Sequence, residues 1–275
     1  MPYLSMGNFR KRIFNQGGAS GFIASFVRVQ ASGFQGPAGT GKHFRKERIL
    51  RDVACILLFS AGAGILAQEK AGPPAGCEPC RDSDLVELVE LDSTIRLDIR
   101  YATESNFSGR AVYPEARAFL QRPAAEALVS AHRWLRERGY GLLIYDAYRP
   151  WSVTKLFWDI TQPEKRMFVA NPAKGSVHNR GCAVDVGLYE TATLREVEMP
   201  GGYDEMTERS SVTYTGGTPE QRARRDLLRK AMEREGLFSV LPEEWWHYSF
   251  KDFRDYPVLD IPFSEIAAPV QTKER

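Results

Sequence analysis

Residues 123–148 read PAAEALVSAHRWLRERGYGLLIYDAY, a helix and a strand in immediate succession. Pro123 suits a first helical turn, Ala127, Leu128, Ala131 and Leu135 form an apolar stripe, and Gly139 supplies the stop. Tyr140–Tyr148 is then a short apolar run of the kind that makes a buried strand. Before it, LVELVELDSTIRLDIRY (residues 85–101) alternates apolar and polar residues around Ile95, Leu97 and Ile99, as a strand would. After it, a short helix is expected over Trp151–Ile160 and a strand over Cys182–Leu188. A helix opened by the capping box Thr218-Pro-Glu-Gln221 should run to Gly236, followed by an aromatic strand over Trp245–Phe250. Helices and strands mix without regular βαβ units or internal repeats. The expectation is therefore one α+β domain with a mainly antiparallel sheet flanked by helices, over about residues 84–263, with a tail at 264–275.

The chain has 275 residues, 43% of them hydrophobic and 26% charged, with a net charge of +2. That balance provides no global field for nucleic acid or an anionic membrane. The charge is uneven, because residues 1–51 collect Lys and Arg with few acids. VACILLFSAGAGILA (53–67) is apolar, follows the basic run KHFRKERILR and ends in small residues. It is short for a membrane span and has the order of a secretory signal peptide over about 43–67, cleaved after Ala67; a buried core helix is the alternative. Export would place the domain in the periplasm or outside the cell with no lasting membrane anchor, whereas a non-working signal would leave it in the cytoplasm. Residues 1–42 then read as a disordered leader or a misplaced start. Within them Gly36-Pro-Ala-Gly-Thr-Gly-Lys42 resembles a phosphate-binding loop, but His43 stands where Ser or Thr should hold magnesium. Cys55 lies in the signal segment. Cys77 and Cys80 sit in a Pro/Gly-rich linker (68–83) and read as a local disulfide or as free thiols. Cys182 reads as a small buried residue.

Of the four histidines, His43 falls at the start of the signal segment and His132 on the 123–138 helix, as a surface or packing residue. The other two stand in Ser176-Val-His178-Asn-Arg-Gly-Cys-Ala-Val-Asp185 and Glu243-Glu244-Trp-Trp-His247. On a helix His178 and Asp185 would lie about 10 Å apart along the axis, too far for one ion. On a straight strand their odd separation points them to opposite faces. A bend is needed between them, and Gly181 is the natural place for it. Glu244 and His247 similarly need a turn at Glu244 leading into the strand. Two histidines and one carboxylate leave zinc an open position for water, the catalytic rather than the structural arrangement. A nearby carboxylate can then take a proton from that water.

SVHNRGCAVD followed by EWWHY resembles the zinc peptidases that include D-alanyl-D-alanine dipeptidases, D,D-carboxypeptidases and, more distantly, the hedgehog signalling domain. The dipeptidases are the nearest match. Leu97-Asp-Ile-Arg-Tyr101-Ala-Thr, Asn106-Phe-Ser-Gly109, Tyr145-Asp-Ala-Tyr-Arg149-Pro150 and Gly202-Tyr-Asp204-Glu-Met are similar to that group's blocks in the same order. The resemblance implies one Zn2+ per chain on His178, Asp185 and His247, with Glu244 as the base that activates water. It implies Arg149 as the oxyanion stabiliser, and Ser176, Asp204 and Tyr101 as pocket residues, Asp204 suiting a substrate amine. Each has a structural alternative: Arg149 as a partner of Asp146, Tyr101 as a packing aromatic, Asp204 as an Asx-turn residue. The activity implied is hydrolysis of the small dipeptide D-Ala-D-Ala. Trimming of terminal D-Ala from peptidoglycan stem peptides and a non-catalytic zinc-stabilised binding domain are the competing readings. The sequence gives no oligomeric state.

Overall fold

The computed structural model describes residues 72–266. The leader, the signal segment with Cys55, His43 and residues 267–275 of the tail lie outside the described residues. Two sheets organise the described chain. β1 (Leu85–Glu87) pairs antiparallel with β3 (Phe119–Gln121). The main sheet contains β2 (Arg96–Leu97), β4 (Tyr140–Asp146), β5 (Ala183–Glu190), β6 (Phe238–Leu241) and β7 (Glu244–Phe250), in the order β2-β4-β5-β7-β6. Only the β2–β4 pair is parallel, so the α+β, mainly antiparallel architecture holds.

Four helices accompany the sheets. α1 is one turn at Leu88–Leu91, α2 spans Arg122–Arg136, α3 Trp151–Ile160 and α4 Pro219–Glu233. α2 starts with Pro123 in its first turn and buries Ala127, Leu128, Ala131 and Leu135, the stripe read from the sequence. α4 has the full capping box: Gln221 N–H donates to Thr218 Oγ1, and the Gln221 side chain accepts from Thr218 N–H. That satisfies two orphan donors of the first turn. α2 and α4 pack together and against the sheet. His132 of α2 is wholly buried, a packing residue rather than a surface one.

The strand expected around Ile95, Leu97 and Ile99 is largely absent. Only Arg96–Leu97 pairs with β4, at Leu143 and Ile144. Before it, Asp92 Oδ1 accepts from Thr94 N–H and its hydroxyl, closing a turn. After it the chain folds into a 3-10 turn at Arg100–Ala102. The alternation records the burial of Ile95 and Ile99 rather than a ladder of hydrogen bonds. The early turn away from the sheet also carries Tyr101 to the cavity described below.

The Pro/Gly-rich stretch is tied down by several contacts. Cys77 and Cys80 form a disulfide. Arg81 N–H donates to Asp255 O (2.7 Å), and Gln121 Nε2 donates to Ser83 Oγ (3.0 Å). The Arg180 guanidinium donates to Gly76 O (3.3 Å) and to Tyr256 O.

Candidate metal centre and active site

The segment before β5 bends as the spacing requires. His178–Arg180 form a 3-10 turn, and Gly181 closes it in the left-handed region at φ 65°. Asp185 then stands third in β5, opposite His247 of β7 and beside Asp146 at the end of β4. These acidic and imidazole side chains thus occupy one row across three neighbouring strands, where opposite residues lie about 5 Å apart. Glu244 opens β7 directly after the Pro242–Glu243 turn, at a register shift in the β6–β7 hairpin.

Three donor atoms converge. His178 Nε2 lies 3.1 Å from His247 Nδ1 and 3.3 Å from Asp185 Oδ1, and His247 Nδ1 lies 3.0 Å from Asp185 Oδ1. His178 Nδ1 is 2.7 Å from Ala147 O, which can only accept, so the ring proton sits there and Nε2 presents a lone pair. A lone pair facing a carboxylate oxygen is repulsive unless a cation lies between. His247 Nε2 has Ser249 Oγ at 3.1 Å, a partner that frees Nδ1 for the same point. Ligands at 2.0–2.1 Å around a tetrahedral ion stand about 3.3–3.4 Å apart, so this triangle fits one zinc-sized ion. It is the group of His, Cys, Asp or Glu side chains able to hold a metal among the described residues.

A cavity of about 340 Å³ opens over this triangle, and Arg149, Ser176, Tyr101, Asp204 and Glu244 all line it. Every residue singled out from the sequence therefore borders one space. Glu244 Oε2 lies 3.9 Å from His247 Nδ1. Desolvation pushes its carboxyl above the usual range, with His247 opposing. Arg149 is buried and donates through Nε (2.9 Å) and Nη2 (2.6 Å) to Asp146 Oδ2, while Tyr113 donates to Asp146 Oδ1 (2.8 Å). The pairing with Asp146 and the place in the cavity coexist, because five donors are more than one carboxylate oxygen uses. Ser176 Oγ accepts from His178 N–H (3.2 Å), bracing the turn that presents the imidazole.

Asp204 stands at φ 55°, and its Oδ2 accepts a 2.6 Å hydrogen bond from Tyr101. Burial pushes the Asp204 carboxyl up to about 7, against the Tyr101 bond that lowers it. Tyr101 is also a packing aromatic, its ring 4.7 Å from Phe157 and 5.8 Å from Tyr113.

The peptidase family M15, described as D-ala-D-ala dipeptidase, matches residues 81–268. The chain belongs to this D-Ala-D-Ala dipeptidase family. A D-alanyl-D-alanine dipeptidase of Escherichia coli (strain K12) is 33% identical over 192 residues, covering 68% of this chain and 95% of the relative. A dipeptidase of the same description from Enterococcus faecalis is 37% identical over 190 residues (62% and 92%), and one from Enterococcus faecium 34% over 195 (62% and 96%).

Within this dipeptidase-family site, several supporting residues were given no role of their own by the sequence. Asn179 joins the two halves of the cavity: its Nδ2 donates to Arg149 O and Thr154 Oγ1 (both 2.8 Å), and its Oδ1 accepts from Ser176 N–H (2.7 Å). Arg149 N–H donates in turn to His178 O (3.1 Å). Asp146 appeared only as a competitor for Arg149, yet it is the anchor that holds the guanidinium in place. Tyr203 and Ser249 each touch a member of the triangle. Asn179, Asp146 and Tyr203 stand inside the quoted motif blocks, which was the available hint. The rest depend on long-range packing.

Proposed function

We propose that this domain is a zinc dipeptidase that hydrolyses D-alanyl-D-alanine, with His178 Nε2, Asp185 Oδ1 and His247 Nδ1 as the metal ligands. The carrying observation is the converging triangle of donor atoms, bordered in one cavity by a base, a fixed cation and an acidic pocket residue. When bound, zinc supplies a Lewis acid that lowers the pKa of water and polarises the peptide carbonyl.

The protein's own groups divide the remaining work. Glu244 takes a proton from the attacking water at a carboxylate oxygen and passes it to the leaving amine, a transfer that its place beside the triangle in the cavity allows. Arg149 aims unused N–H donors at the carbonyl oxygen as negative charge gathers there, held by Asp146 so that it need not reorganise. Asp204 receives the free ammonium of the dipeptide, and Tyr101 orients its carboxylate. Trp245 and Trp246 follow Glu244 in β7 and are both buried.

The test is metal analysis of the purified chain together with D-Ala release from D-Ala-D-Ala, beside an acylated tripeptide. Zinc near one equivalent and cleavage of the free dipeptide are expected. Glu244→Ala should retain the metal and lose about 10²–10⁴-fold in kcat. A Glu244→Ala protein with zinc and full activity would overturn the mechanism.

A further inference from the structure

Asp185 has two oxygens, and only Oδ1 faces the histidine nitrogens. Oδ2 accepts a hydrogen bond from the Tyr203 hydroxyl at 3.1 Å, with Arg149 Nη2 3.9 Å away. We propose that Tyr203 is a positioning residue for the metal centre, holding Oδ2 outward so that Asp185 offers the metal a single oxygen. The proposal rests on the metal-centre reading above and adds to it a residue outside the ligand set.

The phenol is well placed for this. Its ring is fixed from three sides, by Tyr145 (4.8 Å between centroids), Trp246 (5.5 Å) and Tyr101 (6.2 Å). A ring locked in that way delivers its hydroxyl to one point. The next residue, Asp204, has a left-handed backbone, which lets consecutive side chains both turn inward: Tyr203 to Asp185 and Asp204 to Tyr101. An extended backbone would send them to opposite sides. Each of the three candidate ligands then has an outer partner, Ala147 O for His178, Ser249 Oγ for His247 and Tyr203 for Asp185. Such partners fix ligand orientation, and losing one weakens metal binding about 10–100-fold.

Without the hydroxyl, Oδ2 has Arg149 as its remaining neighbour. The carboxylate then rotates, bringing both oxygens within reach of the metal and drawing the guanidinium off its line to Asp146. Tyr203→Phe removes the hydroxyl and keeps the ring packing. Tyr145→Phe is the comparator, since that hydroxyl bonds Glu196 instead of Asp185.

The experiment titrates the full chain with zinc against a competing chelator. It also records the visible spectrum of the cobalt(II)-substituted protein and the unfolding midpoint of the metal-free form. Tyr203→Phe should bind zinc about tenfold or more weakly. Its cobalt band should lose intensity as the coordination number rises, while the metal-free midpoint stays near wild type. Tyr145→Phe should bind zinc as wild type does. Equal zinc affinity and an unchanged spectrum in Tyr203→Phe, or an equal loss in Tyr145→Phe, would overturn the assignment of Tyr203. A wild-type chain that takes up no zinc would overturn the metal-centre reading itself.

Discussion

Arg149 holds a full positive charge in a nearly dry place because Asp146 lies against it, itself 1% exposed. Replacing either member therefore has different consequences. Asp146→Asn leaves a buried guanidinium without its anion, and breaking such a pair by removing one partner costs about 3–5 kcal/mol. The variant should unfold at a clearly lower urea midpoint. Arg149→Lys keeps a cation beside Asp146 but loses the planar fork, so one donor can no longer be shared between Asp146 and a substrate oxygen. Its expected signature is a kcat lowered about 10²–10³-fold, the scale of one lost oxyanion donor. Steady-state kinetics on D-Ala-D-Ala checks this, and a Lys variant with wild-type kcat would remove Arg149 from the proposed mechanism.

At the scale of elements, the local features of this fold were legible and the pairings were not. The apolar stripe of α2, the capping box of α4 and the bend at Gly181 all follow from short-range chemistry written in neighbouring residues. The row of Asp146, Asp185 and His247 depends on β4, β5 and β7 lying side by side in one register, which no local pattern encodes. The contact of Tyr203 with Asp185 was hidden for the same reason, since the tyrosine's loop has left-handed residues at Asp204 and Met206 and no periodicity. The strand read at Ile95–Ile99 failed because burial alone produces the same alternation as pairing. Gly181 tests the bend directly. A Cβ there would enter the left-handed region, strike Leu85 Cδ2 and stand 3.3 Å from the backbone nitrogen of Gln121. Gly181→Ala should cost about 1–2 kcal/mol from the backbone alone and weaken zinc binding, because the turn aims His178. Denaturant midpoints and zinc titration read both effects.

His132 fastens α2 to two other elements, and this contact makes stability depend on pH. Its Nδ1 accepts from Leu142 N–H (3.0 Å), so the proton of the neutral ring is on Nε2, facing Thr94 Oγ1 at 2.9 Å. A second proton would have to enter at Nδ1 and break the bond to β4. Burial pushes the pKa down to about 4, with Asp92 partly opposing. The unfolded chain, near 6.5, thus binds the proton first as pH falls. The contribution is complete above about pH 6.5 and declines as pH drops towards 4, by about 2 kcal/mol at pH 5. Urea midpoints at pH 7.5 and 5 should show the loss, and His132→Gln, whose amide oxygen can still accept from Leu142, should flatten it. A parallel pH dependence in that variant would assign the effect to other groups.

Across the whole molecule, the stretch before β1 links the front of the domain to the turn that carries His178. Arg180 follows that histidine by two residues and spends its N–H groups on Gly76 O and Tyr256 O, bridging the 76–81 segment to the 253–258 segment. The ion pair between Arg81 and Asp255 is about half exposed and adds little. The hydrogen bonds to Gly76, Asp255 and Ser83 matter more, at about 0.5–1.5 kcal/mol each. Ordering this segment has an entropic cost, which Pro73, Pro74, Pro79 and the Cys77–Cys80 disulfide reduce by restricting the unfolded chain. A domain starting at residue 84 should therefore be about 1–3 kcal/mol less stable than one starting at 72, and should hold zinc less tightly because Arg180 loses one of its two anchors. Gly76→Ala should push in the same direction without any truncation, since its Cβ would lie 2.7 Å from Arg180 Nη1 and 2.9 Å from the backbone nitrogen of Val258. The arginine can swing away, but the Val258 backbone cannot. Equal urea midpoints for all three proteins would mean that the segment merely rests on the domain and that the His178 turn stands without it.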